Sequence, residues 1–468
     1  MYPTLIQGGM GVAVSNFNLA RAVSMSGQLG VVSGTMLDTV LARRLQDGDC
    51  DGSVRRAMSE FPIREIADRV MNDYYIEGGR AEGVPYKAVP MHSMKSSRAL
   101  VELTILANFV EVFLAKEGHD GIVGINYLTK IDLPTLPSIF GAMLANVDYV
   151  LMGAGIPKMI PGILDCLSDK KAVSLKVDVE GSSPDDNYVL EFDPADFPLD
   201  RASLKRPKFL AIVSSAVLAQ SLSKKSSGRV DGFVVEHHCA GGHNAPPRGG
   251  VKVDDNGEPI YGPKDEIDPE SFRKLGVPFW LAGGYGTRDG LKKALAAGAQ
   301  GIQVGSLFAF CNESGITAEI KREVIELVKS GDVEVFTDPA ASASKYPFKV
   351  VPLKSSFSDE EVYLNRERIC DLGYLRQAYK KDDGSIGFRC SGEPLDTYIR
   401  KGGAEEDTCG KKCLCNGLMA TVGLAQIQRS GYLEPALVTA GKCIHEIAEI
   451  VGEDKNSYSA QDVLNFLN

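Results

Sequence analysis

Eight short apolar runs, most of them closing on glycine or a small polar residue, restrict the fold more than any other feature of the chain. They start near residues 5, 29, 122, 149, 209, 232, 279 and 301. Leu5-Ile6-Gln7 leads into Gly8-Gly9-Met10-Gly11, and Leu29-Gly30-Val31-Val32 into Ser33-Gly34. Runs this short, stopped by glycine, read as buried strands. Helical periodicity fills most of the intervals, as with Leu19, Ala20 and Val23 in the first. Strand, turn and helix repeated eight times predict a (β/α)8 barrel, whose site is built at the C-terminal ends of the strands. A doubly wound open sheet is the rival, disfavoured because no GxGxxG follows the first strand.

The spacing sets the boundaries. Residues 1–310 are expected to hold the barrel, interrupted by a helical insertion over 35–118 and a hairpin over 173–193. The insertion shows amphipathic segments at 57–71 and 100–115 around a loop near 78–90. The hairpin turns through Gly181 to Asn187, a cluster of turn formers. Residues 311–468 read as a mainly helical extension: a helix over 317–329, an irregular loop over 336–348, then helix and loop, with a helix over 418–428.

Charge and cysteine usage exclude some classes of function. With 61 acidic and 51 basic residues the net charge is -10, which argues against nucleic acid or an anionic membrane as main partner. No stretch approaches the roughly 20 apolar residues that span a bilayer. The first residues lack the basic and long apolar regions of a secretory signal. Ten unevenly spaced cysteines suit reduced thiols rather than a disulfide framework. A cytoplasmic protein is expected, with no membrane partner; its oligomeric state is left open.

Chemistry concentrates at residues 232–250. The strand Phe233-Val234-Val235 leads towards Ala240-Gly241-Gly242-His243. Paired glycines let the backbone lie flat against a ligand, and the imidazole that follows is held beside it. A glycine pair alone is explained by a tight turn. Two further turns point beyond that: Leu281-Ala282-Gly283-Gly284 precedes Gln303-Val304-Gly305-Ser306 by about twenty residues. Glycine turns after strands seven and eight of a barrel are a common phosphate cradle. A phosphate site beside Gly241-Gly242-His243 suggests a phosphorylated cofactor across the mouth, and FMN fits. Its ring would lie on flat backbone such as Gly8-Gly9-Met10, with Asn126 as an amide partner.

These motifs, with Gly27-Gln28-Leu29-Gly30, Gly124-Ile125-Asn126-Tyr127-Leu128, residues 298–306 and Thr337-Asp338-Pro339, resemble the nitronate monooxygenase family of FMN-dependent (β/α)8 barrels. Flavin enoyl-thioester reductases are relatives on the same scaffold. The resemblance covers residues 1 to about 350. It implies that Gly8, Gly9, Met10 and Asn126 line the flavin ring, with Gly241 and Gly242 beside it. Gly283, Gly284, Gly305 and Ser306 would hold the phosphate, and His243 would face the substrate. The implied reaction is oxidation of an alkyl nitronate by O2 to a carbonyl compound and nitrite. His243 would orient the anion by hydrogen bond or as the imidazolium, or remove the α-proton of a neutral nitroalkane. Two alternatives remain: an FMN-dependent enoyl-thioester reductase using NAD(P)H, and a flavin-binding subunit of a synthase complex without turnover.

Other residues carry less. Arg248 could meet an anionic substrate, but a surface salt bridge is the expectation. His237-His238-Cys239 could suggest a metal, yet neighbours on an extended segment point oppositely, so none is expected. Cys409, Cys413 and Cys415, with Cys370 and Cys390 upstream, lack the paired CxxC of a structural zinc site. They are expected to be ordinary thiols, although three clustered thiols could hold zinc or an iron–sulfur cluster with a ligand from elsewhere.

Overall fold

The computed structural model describes residues 2–199 and 203–468. Its centre is a closed barrel of eight parallel strands: β1 (Leu5–Gln7), β2 (Leu29–Ser33), β3 (Val123–Leu128), β4 (Tyr149–Gly153), β5 (Lys208–Val213), β6 (Gly232–Glu236), β7 (Phe279–Ala282) and β8 (Gly301–Val304). Each strand pairs with its neighbours in sequence order, and β1 closes the ring on β8 through Leu5 opposite Ile302. All eight predicted strands are present, and the fold is a (β/α)8 barrel.

Alternation along the strands decides what lies inside. Ile6, Val31, Leu151, Leu210, Val234 and Trp280 fill the barrel interior as a cluster separate from the outer core. Trp280 anchors the N-terminal end, its indole N–H donating to the Pro3 carbonyl at 2.8 Å. Phe233 and Val235 pack outwards, as do Val123 and Ile125. A period of two therefore turns Asn126 and Glu236 inwards at the opposite end. Register sets Ala282 between Glu236 and Gln303, so β6, β7 and β8 present their last inward side chains at one level.

The helices form where the sequence allows them to be capped. Asn16 accepts the Leu19 N–H at 3.0 Å to start the helix Phe17–Met25, and Ser97 caps Arg98–Lys116. The expected continuous helix over 57–71 is two helices, Ser53–Ser59 and Arg64–Tyr74. Pro62 lies in the break, where it has no N–H to donate. The inserted hairpin is present, with Val173–Lys176 antiparallel to Val189–Phe192.

From residue 331 onwards the extension also contains strands that the helix-and-loop reading lacked. Phe336–Asp338 pairs with Phe348–Val350, and Gln377–Lys380 with Ile386–Arg389. The second pair joins Val179–Glu180 of the insertion in parallel, at Ala378 opposite Val179. Such pairing joins segments about two hundred positions apart, beyond the reach of local periodicity. The helix expected over 418–428 is Leu414–Thr421; Gly423 turns the chain with a φ of 75° soon after it ends. One hydrophobic core runs from Leu5 in β1 to Leu467 in the last helix. Among the described residues no helix is long and apolar enough to cross a membrane.

Candidate active site

A cavity of about 220 Å³ opens at the C-terminal mouth of the barrel. Its floor is the top inward layer of the strands, Asn126, Gly153, Ile212, Glu236, Ala282 and Gln303. Gly8, Gly9, Met10, Gly241, Gly242, His243, Gly283, Gly284, Gly305 and Ser306 line it as well. With Asn126, the residues that the sequence offered for the cofactor and His243 thus line one cavity, whereas Arg248, His237 and His238 lie outside it.

The carboxamide oxygens of Asn126 and Gln303 are buried without a hydrogen-bond partner. Leaving such a group unpaired costs about 1–3 kcal/mol, so two on one cavity floor point to a ligand with donors. Gly283 has a φ of 75°, and a Cβ there would lie 2.5 Å from the His237 carbonyl oxygen. Only glycine allows β6 and β7 to bring their loops that close.

His243 is fixed by the chain that follows the barrel. It forms a β-bridge with Phe348, and its flanks are tied by Asn244 N–H to the Pro347 carbonyl at 2.9 Å and Lys349 N–H to the Gly242 carbonyl at 3.0 Å. The ring meets Phe348 edge-on at 4.9 Å, and its Nε2 shares a hydrogen bond of 2.7 Å with Ser342 Oγ. Ser342 is held in turn by Asp338, whose Oδ1 accepts the Ala340 and Ala341 N–H groups at 2.8 and 3.0 Å. Asp338 Oδ2 pairs with Lys412 at 2.6 Å.

Burial lowers the His243 pKa to about 4. The ring is neutral at physiological pH, which removes the imidazolium option and leaves a neutral hydrogen-bonding group. The acid near neutrality is Glu236, whose pKa burial raises to about 7, partly offset by Lys349. Lys349 is fully buried, donates to Thr337 Oγ1 at 2.7 Å, and is lowered to about 8 by burial and by Lys442. Glu236 escaped the sequence reading because the His-His-Cys run beside it drew attention. Its place at the inward end of a barrel strand was the available signal.

The C-terminal segment was also missed as part of the site. Thr439, Ala440, Gly441 and Cys443 line the cavity. Gly242 N–H donates to Thr439 Oγ1 at 2.9 Å, Gly441 N–H to Ser306 Oγ at 2.6 Å, and Lys442 N–H to the Cys239 carbonyl at 3.0 Å. This strap runs so close that a Cβ on Gly241 would lie 2.9 Å from Ala440 backbone. Ser306 accepts from the strap but keeps its own O–H free to donate.

Two surface expectations change. Arg248 forms no ion pair among the described residues; its guanidinium donates to the carbonyls of Ser214, at 2.8 Å, and Lys264. It therefore braces the loop after β6 against the end of β5. His237 and His238 do not point oppositely, because the chain turns at residue 238 and brings their rings to 4.0 Å apart, tilted by 37°. Their ligand atoms and the Cys239 thiol lie within 4.8 Å of one another. Hydrogen bonding to Cys239 raises His237 and lowers the thiol, while burial takes His238 down to about 4.

Fold and cavity together define a barrel protein with a glycine-lined cavity at its C-terminal mouth. Residues 177–341 match the nitronate monooxygenase family model. The span holds His243 and the glycine turns of β6, β7 and β8, but not Gly8, Gly9, Met10 or Asn126. A probable nitronate monooxygenase of Bacillus subtilis (strain 168) is 32% identical over 123 residues, 26% of this chain and 33% of that protein. One from Staphylococcus haemolyticus (strain JCSC1435) is 28% identical over 141 residues, 30% of this chain and 38% of that protein. The chain thus matches about a third of the length of these curated relatives. Among solved structures, FabK from Thermotoga maritima has a TM-score of 0.49 at 15% identity, covering 100% of this chain and 92% of that one. Nitroalkane oxidase from Streptomyces ansochromogenes has a TM-score of 0.46 at 14% identity, covering 99% and 94%.

Proposed function

We propose that the protein is an FMN-dependent oxidoreductase that oxidises alkyl nitronates with O2 to a carbonyl compound and nitrite. The observation that carries this reading is the pairing of a glycine-lined cavity, floored by two unpartnered carboxamides, with the fixed neutral imidazole of His243 in its wall. The residues present fit the cofactor. Gly8, Gly9 and Met10 offer flat backbone, and Asn126 and Gln303 offer acceptors for ring N–H groups. Gly283, Gly284, Gly305 and the Ser306 hydroxyl offer donors to a phosphate, without a lysine or arginine in the cavity wall. Bound FMN supplies the electron-accepting chemistry.

The chain's own contribution is binding, orientation and proton handling. His243, neutral and steadied by Ser342, directs a hydrogen bond to the nitro oxygens and fixes the substrate over the floor. The strap at 437–443 limits water at the cavity. When the substrate is a neutral nitroalkane, Glu236 is the acceptor for the α-proton, because its carboxyl titrates near 7 whereas His243 titrates near 4. The experiment is nitrite release from an alkyl nitronate by FMN-loaded protein, compared with His243→Ala. A loss of about 10²-fold in kcat/KM, with FMN still bound, supports the assignment. Equal activity in the variant contradicts it.

A further inference from the structure

At the rim of the cavity, the turn that follows β6 gathers three side chains able to ligate a metal. The Ala240 N–H donates to the His237 carbonyl at 3.0 Å and closes a turn with His238 and Cys239 at its two central positions. Side chains that would alternate along a strand are thereby brought together. One ligand atom from each of His237, His238 and Cys239 lies within 4.8 Å of the other two. The turn is pinned at both ends. His237 N–H donates to the Ala282 carbonyl of β7 at 2.9 Å, and the Cys239 carbonyl accepts the Lys442 N–H of the strap at 3.0 Å. All three residues are partly buried, and Cys239 is a free thiol.

Glu266 supplies a fourth donor. Its Oε2 lies 3.3 Å from His237 Nε2 and its Oε1 4.0 Å from His238 Nε2, so one carboxylate spans both rings. The neighbouring Asp265 accepts the N–H groups of Arg248 and Gly262, both at 2.9 Å, and this holds the segment beside the turn. His238 stacks on Tyr261 with ring centroids 4.0 Å apart and planes 4° from parallel. The Tyr261 hydroxyl donates to the Ala245 carbonyl at 3.1 Å, which steadies that stack. Outer contacts of this kind orient ligands for a metal. An ordinary His–Glu pair accounts for His237, but not for a second imidazole and a thiol held within 4.8 Å of it. Two neutral imidazoles, a thiolate and a carboxylate balance the charge of a divalent ion. Nitrogen with sulfur suits zinc rather than magnesium or calcium.

We propose that His237, His238, Cys239 and Glu266 form a structural zinc site at the end of β6. On binding, the Cys239 thiol releases its proton to solvent and its sulfur takes one coordination position. One nitrogen from each imidazole and one Glu266 oxygen take the others, and no electron is transferred. Zinc–ligand bonds of about 2.0–2.3 Å set neighbouring ligand atoms about 3.3–3.6 Å apart, so loading draws the side chains in by about 1 Å. Cys239 lines the active-site cavity and leads directly into Ala240-Gly241-Gly242-His243. Zinc would therefore tie the base of that loop to the segment carrying Glu266 and hold the glycine pair against the strap.

The test is zinc binding to the untagged full chain, first stripped of metal by a chelator, read by elemental analysis and titration calorimetry. The expected result is stoichiometric zinc, bound at least about tenfold more weakly by His238→Ala and Cys239→Ser and equally well by Cys409→Ser. Should the first two variants not fold, the wild-type chain reports the same ligation. Zinc should slow alkylation of Cys239 at least about tenfold, read by peptide mass spectrometry, and leave the exposed Cys50 and Cys409 unaffected. Neither measurement involves flavin or nitronate, so each stands apart from the proposed reaction. Wild-type protein that holds no zinc overturns the proposal, as does undiminished affinity in the folded variants or unchanged alkylation of Cys239.

Discussion

Glu236 and His243 share one cavity, yet burial drives them in opposite directions: the carboxyl up to about 7 and the imidazole down to about 4. Both are thereby held neutral over much of the acidic range, and their pH signatures differ. With a neutral nitroalkane, turnover should rise with pH and level off above about 7, as Glu236 becomes a base. Glu236→Gln should abolish that rise and cost about 10²-fold, while activity on preformed nitronate is spared. An unchanged pH profile in the variant would reject Glu236 as the acceptor. For stability the signs also differ. His243 and His238 are depressed in the fold, so the stability they contribute is full above 6.5 and is lost as pH falls towards about 4. Glu236 is raised, so its contribution is full below 4.5 and is lost as pH rises through about 7. Because Glu236 opposes the histidines between pH 7 and 4.5, the readout is a difference: in thermal melts over that range His243→Asn should lose less midpoint on acidification than the wild type.

The elements that build the site were legible to different degrees. The β6 loop announced itself through Gly241-Gly242-His243, and the β7 and β8 turns through their glycines. The hairpin Phe336–Asp338 with Phe348–Val350 and the strap at 437–443 did not, because each acts on residues about a hundred or two hundred positions away. Their importance is testable. Asp338 fixes the turn that presents Ser342 to His243, and its carboxylate pairs with Lys412, both side chains being nearly buried. Asp338→Ala leaves that lysine uncompensated and should cost about 3 kcal/mol of stability, read by chemical denaturation. A change below about 0.5 kcal/mol would assign the pair no structural role. Gly241→Val places side-chain atoms against the strap backbone at Ala440. It should weaken FMN retention at least about tenfold, by displacing the strap or by filling the cavity. Retention equal to wild type would show that the strap is freely displaced.

At the scale of the molecule, the barrel could be read from its eight short strands, most of them ended by glycine or a small polar residue, because each is a local signal. The cavity floor was half legible: Asn126 stood out as an amide at a strand end, whereas Glu236 and Gln303 gained meaning only once the register set them level. The run His237-His238-Cys239 was visible as residues, but the turn that gathers its side chains was not. The central claim is that the mouth of this barrel binds FMN and takes electrons from a nitronate. It is tested most directly by mixing FMN-loaded protein anaerobically with an alkyl nitronate, and separately with NADH and NADPH, while following the visible flavin absorption. The account predicts bleaching by the nitronate and none by the nicotinamides. Bleaching by NADH or NADPH alone, or a protein that takes up no FMN, would contradict it.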